Sequence, residues 1–140
     1  MDESGNYSAK KALDYAKKWW NKQNVNYYSY GTGGDCANFV SQCLYEGGLK
    51  KDSKWYSYHS SKKKKGWDIQ YRFSHLKYNP FTGQYMPVYK PHWYNVSSAW
   101  SLAKGLFNYL KTDLQIKYCK CKNAKEVKSN RHNHNQGTVL

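Results

Sequence analysis

The run Gly33-Gly34-Asp35-Cys36-Ala37-Asn38-Phe39-Val40-Ser41-Gln42-Cys43-Leu44 joins a loop rich in glycine and tyrosine to a segment that stops at Gly47-Gly48. The change of pattern predicts a helix that starts at Asp35, with its carboxylate as the cap, and ends at the glycine pair. Cys36 then lies in the first turn. Backbone N–H groups there lack internal partners and favour negative charge, and the thiolate is the reactive form of cysteine. Cys36 is therefore the candidate nucleophile, against the competing reading of an inert, buried cysteine. Cys36, Val40, Cys43 and Leu44 are expected on one face of the helix with Ala37 beside them, and Cys43 reads as a small hydrophobe.

Working outward, residues 8–22 predict a first helix. Ala9, Ala12, Leu13, Ala16, Trp19 and Trp20 recur at helical spacing, Lys10, Lys11, Lys17 and Lys18 lie opposite, and Ser8 is the cap. A third helix is expected after Ser97 or Ser98, with Trp100, Ala103, Phe107 and Leu110 in register and Leu106 adjacent. Residues 50–97 show no steady period. They hold Trp55-Tyr56-Ser57-Tyr58-His59, the run Lys62–Lys65, and turn signals at Asn79-Pro80, Gly83, Pro87 and Pro91. A loop-rich insertion with short strands is the expected form. Leu114 to Tyr118 suggests one more short strand before a polar stretch at 119–135, so the sheet is expected to be incomplete toward the C-terminus.

With 140 residues the chain reads as a single domain, 1–140, possessing a modest core. Its 15 Tyr and 6 Trp suit both a core and a ligand-stacking groove. Twenty-three Lys and Arg against nine Asp and Glu give +14, a field that attracts anionic wall polymers, membrane surfaces or nucleic acid. Only Arg72 and Arg131 carry the planar fork that reads bases, and no helix-turn-helix, finger or RNA-binding pattern is present, so nucleic acid is disfavoured as a partner. Cys36, Cys43, Cys119 and Cys121 fit no paired zinc knuckle. Cys119, Cys121, His132 and His134 have the chemistry of metal ligands, but single-residue spacing within each pair argues against chelation; no metal or cofactor is expected. No apolar run approaches the roughly 18 residues that a membrane span needs. No signal segment is visible, so an extracellular or wall-associated location requires one in the parent protein.

A cysteine amidase needs a thiolate, an imidazole that pairs with it and protonates the leaving amine, a group that orients the imidazole, and donors for the oxyanion. The Cys36 backbone N–H is one such donor. Asp35, the immediate neighbour of Cys36, reads as a cap rather than as a triad member. Spacing does not choose among His59, His75, His92, His132 and His134. His134 precedes Asn-Gln-Gly-Thr-Val-Leu, which could begin a strand, while His59 and His92 are expected in solvated loops. Tyr28, Tyr30, Trp55, Tyr56 and Tyr58 are the expected substrate-binding residues of the cleft.

The Asp35-Cys36-Ala-Asn38-Phe39-Val-Ser41-Gln42 core, continued to Gly47-Gly48, closely resembles the segment around the active cysteine of the bacterial "putative amidase domain" family, a relative of the NlpC/P60 and papain-like cysteine peptidases. The resemblance extends through Ala12-Leu-Asp-Tyr15-Ala16, Asn24 to Tyr30, Trp55-Tyr56 and Ser98-Ala-Trp100, covering about residues 8–112. It implies a papain-like, NlpC/P60-like α+β fold, with N-terminal helices packed on a small antiparallel sheet. It also implies a thiol nucleophile at Cys36, a thioester acyl-enzyme, and hydrolysis of an amide in a bacterial cell-wall peptide by a secreted protein. The family's histidine lies on a strand after the third helix, and the nearest match is His134. The Gly-Asp that opens that strand in the family is absent here, and no third triad member is visible. The alternative is an inactive or truncated relative that binds polyanions (wall polymer, membrane or nucleic acid) through its lysines.

Overall fold

The protein is described by a computed structural model covering residues 6–31 and 34–114. Helix α1 spans Ala9–Trp19, and Ser8 caps it as expected: its Oγ accepts the Lys11 N–H at 3.3 Å. Lys17 and Lys18 in the last turn complement the negative helix end. Helix α2 spans Cys36–Glu46. Gly48 takes φ +115°, a left-handed conformation that suits glycine, and the Leu49 N–H turns back to the Leu44 carbonyl at 3.0 Å.

Two expectations for α2 are corrected. The Asp35 carboxylate makes no capping bond to the helix backbone. Its Oδ1 instead accepts from the Tyr30 N–H (3.2 Å) and from Asn38 Nδ2 (2.9 Å), tying the loop's end to the helix. The buried face is also rotated. It consists of Ala37, Asn38, Ser41, Gln42 and Leu44, while Cys36 and Val40 are exposed. Apolar periodicity missed this because three polar residues occupy the inner face, which is tolerable only where each finds partners.

They do. Asn38 Nδ2 also donates to the Tyr28 carbonyl at 2.9 Å, and its Oδ1 accepts from Trp100 Nε1 at 2.8 Å. Ser41 Oγ donates to the Trp100 carbonyl at 2.8 Å and accepts from Trp55 Nε1 at 3.1 Å. Gln42 Oε1 accepts from the Tyr15 hydroxyl at 2.6 Å. Around this seam the core is aromatic. Trp55 and Trp100 are both fully buried with ring centroids 4.6 Å apart, Tyr109 stacks on Trp55, and Tyr27 stacks on Trp100.

The third helix is broken. Helix α3 (Ser98–Ser101) and helix α4 (Ala103–Asn108) meet at Leu102, which is extended, and a π-helical turn follows at Tyr109–Asp113. Gly105 folds back onto α3 so closely that a Cβ there would lie 2.4 Å from the Ser98 carbonyl oxygen. The break shifts the register: Trp100, Leu106 and Tyr109 are buried, whereas Phe107 is exposed.

The loop-rich insertion expected at 50–97 is instead an antiparallel sheet. Strands β1 (Ser57–Ser60), β2 (Asp68–Asn79) and β3 (Gln84–Val96) pair in the order β1-β3-β2. Pro87 and Pro91, read as breaks, lie within β3. They are accommodated because β1 pairs only with residues 93–96, so one edge of β3 is open where the prolines fall. The fold is thus α+β with a small open sheet, and the helices pack chiefly on one another rather than across that sheet.

The seam makes a stability prediction. Asn38→Ala strands the Trp100 indole N–H and the Tyr28 carbonyl, and should cost about 2–4 kcal/mol on the usual penalty for orphaned buried groups. Val40→Ala, on the exposed side of the same helix, should stay within about 0.5 kcal/mol. Urea denaturation of the two variants measures the difference.

Candidate active site

The last turn of α1, the segment 20–24 and the start of α2 enclose an open cavity of about 340 Å³. Cys36 lines it together with Trp19, Trp20, Asn24, Asp35, Phe39 and Gln42. Trp20 is 73 % exposed, and Lys22 brings a positive charge to the rim while its ammonium lies 5.1 Å from the Trp19 ring. Tyr15 fixes the orientation of Gln42. Its hydroxyl accepts from Asn24 Nδ2 at 3.1 Å, so its proton is given to Gln42 Oε1 and the Gln42 NH2 is the end left over.

The approach to this cavity is held from the sheet. Arg72 on β2 is buried without a carboxylate, and its Nη1 donates to the Tyr27 carbonyl at 2.7 Å and the Tyr94 hydroxyl at 2.8 Å. The Tyr94 hydroxyl in turn donates to the Val25 carbonyl at 2.7 Å. Gln70 makes two bonds of 2.9 Å to the Ser29 backbone. Residues 24–30 are thereby clamped, and Asp35 holds the loop's far end beside Cys36.

The residues expected in the cleft separate into three places. Tyr28 and Tyr30 lie together, ring centroids 4.7 Å apart, on the clamped loop. Trp55 is a core residue with no exposed face for a ligand, because Trp100 and Tyr109 cover its ring and Ser41 takes its N–H. Tyr56 and Tyr58 stack on each other at 5.4 Å at the start of β1, with Lys51 4.9 Å from the Tyr58 ring. None of the five lines the Cys36 cavity. Trp19, Trp20, Asn24, Phe39 and Gln42 do, and the adjacent Trp19-Trp20 pair was the available signal. Two neighbouring residues on a helix point about 100° apart, so both cannot enter one core face.

His59 and His92 are not in solvated loops. They lie on β1 and β3, with His59 Nε2 and His92 Nδ1 2.7 Å apart and the His59 ring 5.0 Å from that of Tyr94. Burial pushes both imidazoles below their ordinary range, and the Arg72 charge adds to the effect. His75 bonds Ser74 on the outer strand. No histidine among the described residues lines the Cys36 cavity. His132, His134, Cys119 and Cys121 lie outside the described residues. Among the described ones, no group of three or more His, Cys, Asp or Glu is placed to hold a metal. Cys43 is half-buried, and desolvation pushes its thiol up to about 11.

A model of the "putative amidase domain" family matches residues 6–140. The chain belongs to this family. The match runs beyond the 8–112 covered by the sequence resemblance and includes the segment that holds His134. The uncharacterized protein YhbB of Bacillus subtilis (strain 168) is 34 % identical over 70 residues, which is 46 % of this chain and 20 % of that protein. The chain thus spans about a fifth of the length of this curated relative. No solved structure matches the chain. No helix among the described residues is long and apolar enough to cross a membrane.

Two measurements follow from this amidase-domain geometry. Iodoacetamide applied to the intact protein near neutral pH should alkylate exposed Cys36 well before Cys43, with Cys43 reacting on unfolding; peptide mapping reads the order. The histidine pair should also shape acid stability. Both groups hold protons less tightly folded than unfolded, so stability is full above the unfolded value of about 6.5 and falls as pH drops through it. Asp52, held below its ordinary range mainly by the Tyr109 hydroxyl, adds its loss only below about pH 4. Urea midpoints between pH 7.5 and 5 should therefore fall less steeply in a His59→Gln/His92→Gln variant.

Proposed function

We propose that the chain is a cysteine-dependent amidase acting on bacterial cell-wall peptides, with a papain-like, NlpC/P60-related ancestry and an extracellular or wall-associated place of action. One observation carries this reading: in a chain of an amidase family, Cys36 is exposed in the first turn of an eleven-residue helix and opens onto a cavity. The Cys36 Sγ attacks the amide carbonyl, the Sγ–C bond forms, and the C–N bond breaks as an imidazolium gives its proton to the departing amine. Water then attacks the thioester, releasing the acid and restoring the thiol. The Cys36 backbone N–H and the Gln42 NH2 are the donors available to the oxyanion. His134 is the imidazole that the family resemblance supplies.

A second reading rests on a specific observation as well. The Cys36 cavity has no histidine among its described lining residues, and the chain carries +14, which suits an inactive relative that binds anionic wall polymers.

The two readings separate by amine release from muropeptide substrates. Cys36→Ala should abolish turnover, and His134→Ala should reduce it by at least about 100-fold, the low end of general acid–base contributions. Full activity in Cys36→Ala would refute the mechanism. Binding of wall polymer by a wild-type protein that turns over no muropeptide would establish the second reading.

A further inference from the structure

The outer sheet shows a feature that the cavity does not require. Cross-strand partners share a face, and beyond the clamp one face of the β2–β3 ribbon carries the pairs Phe73/Tyr89, Leu76/Pro87 and Tyr78/Tyr85. Nearer the base the same face continues through Ile69 and Tyr71. No charged residue lies on it, and apart from part-buried Trp93 at the base its large side chains are half to two-thirds exposed. Phe81, in the turn at the tip, is 96 % exposed. Strict alternation from Phe73 would send Leu76 and Tyr78 to the other face. The register shift between Phe73 and His75 inserts Ser74 as an unpaired residue and returns both to the apolar side. Lys77 and Lys90 then fall on the opposite face, and exposed Lys62–Lys65 flank the base. Between residues 68 and 96 the sole acidic residue is Asp68, at the base.

We propose that this face seats on an anionic lipid bilayer surface. An apolar face of this extent marks an interaction site, and three observations choose its occupant. A net charge of +14 opposes association with a second copy and favours an anionic partner. The paired rings are not coplanar, at 76° for Phe73/Tyr89 and 53° for Tyr78/Tyr85, so they offer no flat platform for the sugar rings of a glycan. Leu76, Ile69 and Phe81 gain most from hydrocarbon, the tyrosines of the face suit the headgroup boundary, and Lys62–Lys65 at its base suit the anionic headgroups. The ribbon lies on the surface rather than spanning it.

The test is co-sedimentation of the full chain with vesicles of equal phosphatidylglycerol and phosphatidylcholine, and with phosphatidylcholine alone. Wild type should partition at least about tenfold more strongly onto the anionic vesicles, and raising salt from about 0.1 to 1 M should weaken that preference as screening shortens. Tyr78→Ser/Phe81→Ser/Tyr85→Ser should lower partitioning at least about tenfold, the order expected from losing that much apolar contact. Phe81→Ser alone, where nothing packs, should give a smaller loss in the same direction. Leu13→Ser, exposed on α1, and Cys36→Ala should bind as wild type, so the outcome is independent of the amidase reading. The proposal falls if the triple variant, folded by circular dichroism, binds as wild type, or if wild type shows no anionic preference. It also falls if wild type is a dimer that the triple substitution dissociates, or if the same residues govern binding to insoluble chitin and not to vesicles.

Discussion

The Asn38 side chain is the constraint on which the rest of the structure depends. One amide joins three elements: the carbonyl end takes the Trp100 indole of α3, and the NH2 end holds the Tyr28 carbonyl and the Asp35 carboxylate. In an aromatic core such a group is stable only with its partners in place, because an orphaned amide loses its hydration without compensation. Loop, α2 and α3 must therefore assemble together. Cys36, two residues before Asn38, is exposed because the helix face opposite the seam has nowhere else to turn. Ser41 and Gln42 extend the same logic to Trp55 and α1. The specificity of the Asp-Cys-x-Asn-Phe-x-Ser-Gln core is thus largely architectural: Cys36 carries the candidate chemistry with Gln42 as a candidate donor, and Asp35, Asn38 and Ser41 place them.

The sheet answers a second need. Residues 24–30 carry backbone carbonyls that helix α1 and helix α2 leave without partners, and a buried carbonyl requires a donor. Arg72, Gln70 and Tyr94 supply the donors from β2 and β3. Arg72 is buried with no carboxylate, its charge met by two carbonyls, a hydroxyl and an amide oxygen. Its field, added to burial, disfavours protonation of the neighbouring histidines.

The helices were legible in the sequence where local rules act alone. Ser8 caps α1, Gly47-Gly48 stop α2, and Cys36 lies in its first turn as the pattern implied. The rest depended on tertiary partners. Asp35 gave up its capping role to a loop N–H and to Asn38. Pro87 and Pro91 read as breaks because a proline's missing donor is harmful only where a neighbouring strand needs it, and the open edge of β3 appears only once β1 is known to be short. Trp55 and Tyr56 are neighbours of similar composition, yet one is in the core and the other is not. Aromatic residues in a segment with no period carry no sign of which side they face. His134, the histidine that the family resemblance favours, lies outside the described residues, so its relation to Cys36 rests on that resemblance.

The position of the bulge separates the sheet's two roles. Gln70, Arg72 and Tyr94 all lie at the base of the ribbon, before Ser74 on β2 and beyond Tyr89 on β3. Holding the loop asks nothing of the strands past that point, and a ribbon trimmed there would clamp it equally well. The chain nevertheless continues through Asn79 and back, and a one-residue insertion restores apolar side chains to a single face that no described part of the chain covers. A bulge unpairs backbone and interrupts the ladder, so it weakens the local pairing it sits in. A long exposed ribbon with an uncharged apolar face also carries an aggregation hazard. Both costs fall on a segment that the Cys36 site does not use, which is why the segregation of its faces is best understood as serving a contact outside the molecule.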